Sequence, residues 1–143
     1  LAAALTLGAA GVVMGTRFYA TAEAAGFAAA KERIVAASGD DSQRSIVFDM
    51  SRRKVWPAPY TGRCLQNDHL RRWSGRELEL LREQADVAEG YAAARAAGNF
   101  DTAAVIAGES AGLIHDLPSV AELMPRIIGT AVAQLRQAQS FIS

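Results

Sequence analysis

Residues 11–18 read Gly-Val-Val-Met-Gly-Thr-Arg-Phe, a short apolar run that ends in glycine with a hydroxyl residue behind it. A run of this length suits a buried parallel strand, and the glycine predicts a tight turn out of it. Such a turn leaves main-chain N–H groups free to face an anion, and phosphate is the usual occupant. A tight turn that binds nothing is the competing reading.

The remaining candidates for chemistry are weaker. Histidine as a residue type has the chemistry of a general base, and the sequence offers His69 and His115. Each sits in a polar context and reads first as a surface or helix-terminal residue. Neither has a third partner at metal-ligand spacing, so no metal site is expected. Asp40, Asp41 and Asp49 read as turn residues rather than an acid–base pair. Cys64, the single cysteine, excludes an internal disulfide and a thiolate zinc site, and reads as an inert thiol. Arg17 is expected to form an ion pair at the rim of the fold in preference to reaching a phosphate. Trp56, Tyr60 and Trp73 read as packing, with a lid over a ligand or a subunit contact in a homo-oligomer as the alternative.

The elements that must position these groups follow from local signals. Leu1–Leu7 resembles the end of a helix, stopped at Gly8. Gly11–Met14 is the expected strand. Thr21 is placed to cap a helix running to about Ala37, with Phe27, Ala30 and Ile34 on one face. Gln43–Phe48 favours strand, and Trp56-Pro57-Ala58-Pro59-Tyr60 is expected to be extended. Ser74 with Glu77 matches a capping box ahead of a stripe of Leu78, Leu81, Ala85, Ala88 and Ala92, which ends at Gly98-Asn99. Asp101 is placed to cap a further helix through Val105 and Ile106. Ser119 with Glu122 forms a second capping box, ahead of Val120, Leu123, Ile127, Ala131 and Leu135, with a kink expected at Pro125. The organisation is residues 1–38 as a βα unit bearing the phosphate turn, 39–73 as an irregular excursion, and 74–143 as a helical segment.

Composition bounds the function. Of 143 residues, half are hydrophobic, which is enough for one real core. Lys plus Arg equals Asp plus Glu at 15 each, so no overall charge favours nucleic acid or an anionic membrane. The clusters Arg52-Arg53-Lys54 and Arg71-Arg72 read as solvated surface. The apolar opening has no basic stretch of the kind that precedes a signal's core, and it is too short and glycine-broken to span a bilayer. A cytoplasmic location is expected. One strand cannot make a sheet alone, so the chain is expected to be the C-terminal part of a larger α/β protein.

Ala4 to Phe18 resembles the last strand and flanking helix of the nitronate monooxygenase family, and Ala107-Gly108-Glu109-Ser110-Ala111-Gly112-Leu113-Ile114 is similar to that family's Ala-Gly-Gln-x-x-Gly-Leu-Ile segment. The closing helix, with Pro118, Glu122 and Ile127, is similar too. The resemblance implies an FMN-binding (β/α)8 TIM barrel, of which this chain supplies one barrel strand and mostly helices. It implies that Met14, Gly15 and Thr16 belong to the FMN phosphate site, which lies after strands 7 and 8 in such barrels. The N–H groups of Gly15 and Thr16 and the Thr16 hydroxyl are the implied donors, and glycine at 15 lets the phosphate approach. The implied activity is oxidation of an alkyl nitronate by O2 to a carbonyl compound and nitrite. The family's Gly-Gly-His catalytic context has no counterpart in these residues, and Glu109 stands where Gln is usual. A flavin-dependent enoyl-ACP reductase is the alternative enzyme, and a non-enzymatic helical interaction module is the alternative outside enzymes.

Overall fold

The computed structural model describes residues 1–54 and 56–141. Helix α1 (Ala2–Thr6) ends at Leu7, and Gly8 follows at φ +91°, a conformation glycine adopts without a Cβ clash. Residues 11–14 then run without pairing into α2 (Gly15–Tyr19). The expected strand is therefore not formed. Val13 is fully exposed, and none of the described segments offers these residues a ladder of hydrogen bonds.

Thr21 does not cap a helix. Its hydroxyl donates back to the Phe18 carbonyl at 2.7 Å, while the Ala22 N–H goes to the Pro118 carbonyl at 3.0 Å. The buried Lys31 ammonium then donates to the carbonyls of Thr21 and Ala22, at 2.7 and 3.1 Å. These bonds hold residues 20–27 as a loop, so α3 covers only Ala28–Ala36. Ala30 and Ile34 face the core as expected, whereas Phe27 packs edge-on against Phe100.

The stretch expected to be irregular carries β1 (Ser42–Ser45), α4 (Val47–Ser51), β2 (Gly62–Leu65) and α5 (Asp68–Trp73). The strands pair antiparallel from Ser42 opposite Leu65 to Ser45 opposite Gly62. Val47 and Phe48, expected in a strand, lie in α4 and are buried. Residues 57–60 close a turn through a Tyr60 N–H to Pro57 carbonyl bond at 3.0 Å, with Ala58–Pro59 in cis, rather than running extended.

Ser74 ends α5 instead of starting a helix. Gly75 follows at φ +78°, its N–H bonds to the Glu77 carboxylate, and α6 (Glu77–Arg82) begins there. Helix α7 (Gln84–Ala96) starts afresh after Glu83. That break rotates the expected stripe: Leu78 and Leu81 are exposed, while Leu80 and Tyr91 are buried. Asp101 caps no helix. The Asn67 side chain instead pins this stretch by donating to the carbonyls of Phe100 and Ala103, both at 3.0 Å. Residues 105–107 join the sheet edge, with the Leu65 N–H bonded to the Val105 carbonyl at 2.9 Å and Cys64 bridged to Ile106.

Helix α8 (Val120–Gln139) has the expected capping box at Ser119 and Glu122 and continues across Pro125 as one element. Leu123 and Ala131 are its buried positions. The core is one cluster centred on Ile34, Phe48, Leu70, Leu80, Tyr91 and Ile114. No described helix is long and apolar enough to cross a membrane.

Candidate functional site

The two segments that carry the family resemblance meet in space. Thr16 Oγ1 accepts a hydrogen bond from the Gly108 N–H at 3.0 Å, across 92 positions of sequence. Gly15 and Thr16 are the first two residues of α2, where helix geometry provides no intrahelical acceptor for the N–H groups. Met14 is the residue preceding that helix. A Cβ built on Gly15 would meet no atom within 4 Å, so the space in front of this residue is open. Gly15 and Thr16 form part of the wall of a cavity of about 530 Å³, together with Tyr19, Arg52, Tyr91 and Arg95.

The turn is held from behind. Arg17 donates to the Asp116 carboxylate at 2.8 Å, to the Asp116 carbonyl at 2.8 Å and to the Ala20 carbonyl at 2.5 Å. Asp116 also receives Arg126 at 2.7 Å, and these two guanidinium partners hold its carboxyl below the ordinary carboxylate range. The expected ion pair of Arg17 is thus formed. Its Nε is buried with no hydrogen-bond partner among the described residues.

The second segment forms a 3-10 turn over Glu109–Leu113. A Cβ at Gly112 would come within 2.7 Å of the Gly39 nitrogen, so glycine there permits the close approach of backbone to backbone. The Glu109 carboxylate is largely exposed and pairs with Arg63 at 2.8 Å.

His69 is not at the surface. It lies buried between Phe48, which it stacks at 5.8 Å, and Tyr91 at 5.7 Å, with Nε2 at 2.8 Å from Ser51 Oγ. The Ser51 hydroxyl donates to the Val47 carbonyl at 2.9 Å, so Nε2 carries the proton in the neutral ring. Burial, and then the nearby Arg72, lower the His69 pKa. His115 is exposed. Cys64 is fully buried in the sheet, and loss of solvation pushes its thiol up to about 11, which keeps it protonated and inert. Trp73 is buried with the guanidinium of Arg72 over its ring at 4.9 Å, whereas Trp56 and Tyr60 are exposed, so the three aromatics do not form one packed group. No group of three potential metal ligands occurs among the described residues.

Tyr91, Arg95 and Arg52 line the cavity without having been singled out as site residues. Tyr91 is the one aromatic side chain of α7, and a single aromatic in an otherwise alanine-rich helix was the available signal. Arg52 reaches the cavity from the C-cap of α4, and nothing in the local sequence reports that approach.

The family model for nitronate monooxygenase matches residues 1–129. The chain belongs to the nitronate monooxygenase family. A curated relative, nitronate monooxygenase npaC of Metarhizium robertsii, is 40% identical over 92 residues, which is 59% of this chain and 25% of that protein. Among solved structures, FabK from Thermotoga maritima matches 98% of the chain with a TM-score of 0.79 and 26% identity, and its M276A mutant matches with 0.72 and 25%. The chain covers 42% and 40% of those two, so it spans less than half of the relatives it matches.

Proposed function

We propose that this chain carries the phosphate end of the flavin site in an FMN-dependent nitronate monooxygenase built on a (β/α)8 barrel. The observation that carries this reading is the position of Gly15 and Thr16. They begin a helix, they face an open cavity, and Thr16 is braced against the family's second segment at Gly108. Their two N–H groups and the Thr16 hydroxyl proton would hold a phosphate, since Gly108 occupies only an acceptor lone pair of that oxygen. The fit is supported by the empty volume in front of Gly15, which any side chain would fill.

Bound FMN supplies the electron-accepting chemistry for oxidising an alkyl nitronate with O2 to a carbonyl compound and nitrite. What these residues contribute is anchorage. The Arg17–Asp116 pair fixes the start of α2, and the Thr16–Gly108 bond fixes its distance from the second segment. No residue of this chain is assigned a proton transfer.

Gly15→Val in the full-length protein is the test. Because a Cβ at this position meets nothing within 4 Å, the variant is expected to fold and to lose its flavin. Flavin content equal to that of the parent protein would overturn the assignment. Nitronate-dependent oxygen uptake, set against NAD(P)H-dependent enoyl reduction, separates this activity from that of a flavin-dependent enoyl-ACP reductase.

A further inference from the structure

Beside the flavin cavity lies a second one of about 600 Å³, and its charge is one-sided. Arg52, Arg53, Lys54 and Arg95 line it against a single carboxylate, Glu89, in a chain whose overall charge is zero. Arg52 is partly neutralised by Asp49 at 2.5 Å. Arg53, Lys54 and Arg95 have no ion-pair partner among the described residues. Three like charges gathered at one concavity repel one another, and that arrangement is relieved by a multivalent anion.

The backbone at this point is also unusual. Helix α4 closes with the Arg53 N–H on the Met50 carbonyl at 3.0 Å and the Lys54 N–H on the Asp49 carbonyl at 2.8 Å. This pair of bonds requires a left-handed residue at position 53, where glycine is the ordinary choice. Arg53 occupies it at φ +53°. A charged side chain is thus kept where the backbone disfavours any side chain.

The rest of the wall is apolar, formed by Tyr91 and the alanine face of α7, and the volume lies in the range of cofactor-sized sites. Arg52, Tyr91 and Arg95 line both cavities, so a ligand in one stands against the other. We propose that Arg53, Lys54 and Arg95, with Arg52 behind them, seat the diphosphate of a nucleotide-class ligand beside the flavin cavity. The term "beside the flavin" rests on the function proposed above; the diphosphate site itself does not.

The experiment is equilibrium titration of the full-length protein with inorganic pyrophosphate, ADP, NADPH and coenzyme A. Saturable binding of pyrophosphate and of at least one of the three nucleotides is expected, and it should weaken as salt rises. The NADPH and coenzyme A arms decide whether a nicotinamide or a thioester carrier is the source of the diphosphate. Arg53→Gly combined with Lys54→Ala should weaken binding by at least about tenfold, from the loss of charge-assisted bonds. Flavin content should be unchanged in that variant. Glu89→Gln should tighten binding, a gain that misfolding cannot produce. Gly15→Val should retain pyrophosphate binding, so failure of the flavin assignment leaves this result readable. No binding by any probe, equal affinity in the double variant, or loss of flavin together with ligand would overturn the proposal.

Discussion

The hydroxyl oxygen of Thr16 and the amide nitrogen of Gly108 lie 3.0 Å apart, and this bond joins the start of α2 to the segment that precedes the 3-10 turn at Glu109. One oxygen here has two tasks. Its lone pair satisfies a half-buried N–H, and its proton stays available to the cavity. A serine performs both, whereas an isosteric valine performs neither.

Thr16→Val is therefore expected to destabilise the protein by about 1 kcal/mol, because the Gly108 N–H loses its partner. Thr16→Ser should remain within a few tenths of the parent, at roughly 0.5 kcal/mol or less. Urea denaturation of both variants measures the difference. Equal stability of the valine and serine variants would mean that the bond contributes nothing to the fold.

His69 makes the fold sensitive to pH. Its folded-state pKa lies below the ordinary histidine value, chiefly because it is buried. Above the unfolded-state value of about 6.5 both states are neutral and the folded state carries no penalty. As pH falls below that value the unfolded chain takes up the proton first, so stability declines until pH passes through the lower folded value. Denaturation midpoints measured from pH 7.5 to 5.5 should fall accordingly. In His69→Phe the slope over this window should flatten, since the ring still stacks on Phe48 and the Ser51 hydroxyl keeps its bond to Val47. An unchanged slope in that variant would assign the pH dependence to other groups.

Local signals were legible where local bonds decide the outcome. Gly8 and Gly98 end helices at positive φ, and the Ser119–Glu122 box forms as its spacing predicts. The same spacing at Ser74–Glu77 fails because Ser74 is already committed to the end of α5, and Gly75 takes the Glu77 carboxylate instead. Thr21 and Asp101 are comparable cases: distant partners (Pro118 for the first loop, Asn67 for the second) hold both stretches outside a helix. The Gly15-Thr16 motif was legible as a break in the chain, but the absence of a strand before it was not, since strand formation depends on neighbours that a period-based reading cannot supply. Burial of His69 was hidden by its polar neighbours Asn67 and Asp68. Asn67 caps α5 and Asp68 stays at the surface, while the helix turns the ring inward with Leu70 and Trp73.

Arg53 provides a test in which removing a side chain should strengthen the fold. A left-handed conformation costs a non-glycine residue about 1–2 kcal/mol. Glycine avoids that cost, but its freer unfolded state takes back roughly 0.5–1 kcal/mol. The balance is a gain of about 0.5–1 kcal/mol for Arg53→Gly, with both bonds that close α4 retained because they come from the main chain. Arg53→Ala removes the same charge yet keeps the strained backbone, so it should bring no comparable gain. Thermal unfolding of the two variants side by side separates backbone relief from charge removal. A glycine variant no more stable than the alanine one would show that the left-handed turn carries no strain, and with it would go the argument that Arg53 is kept there for its side chain.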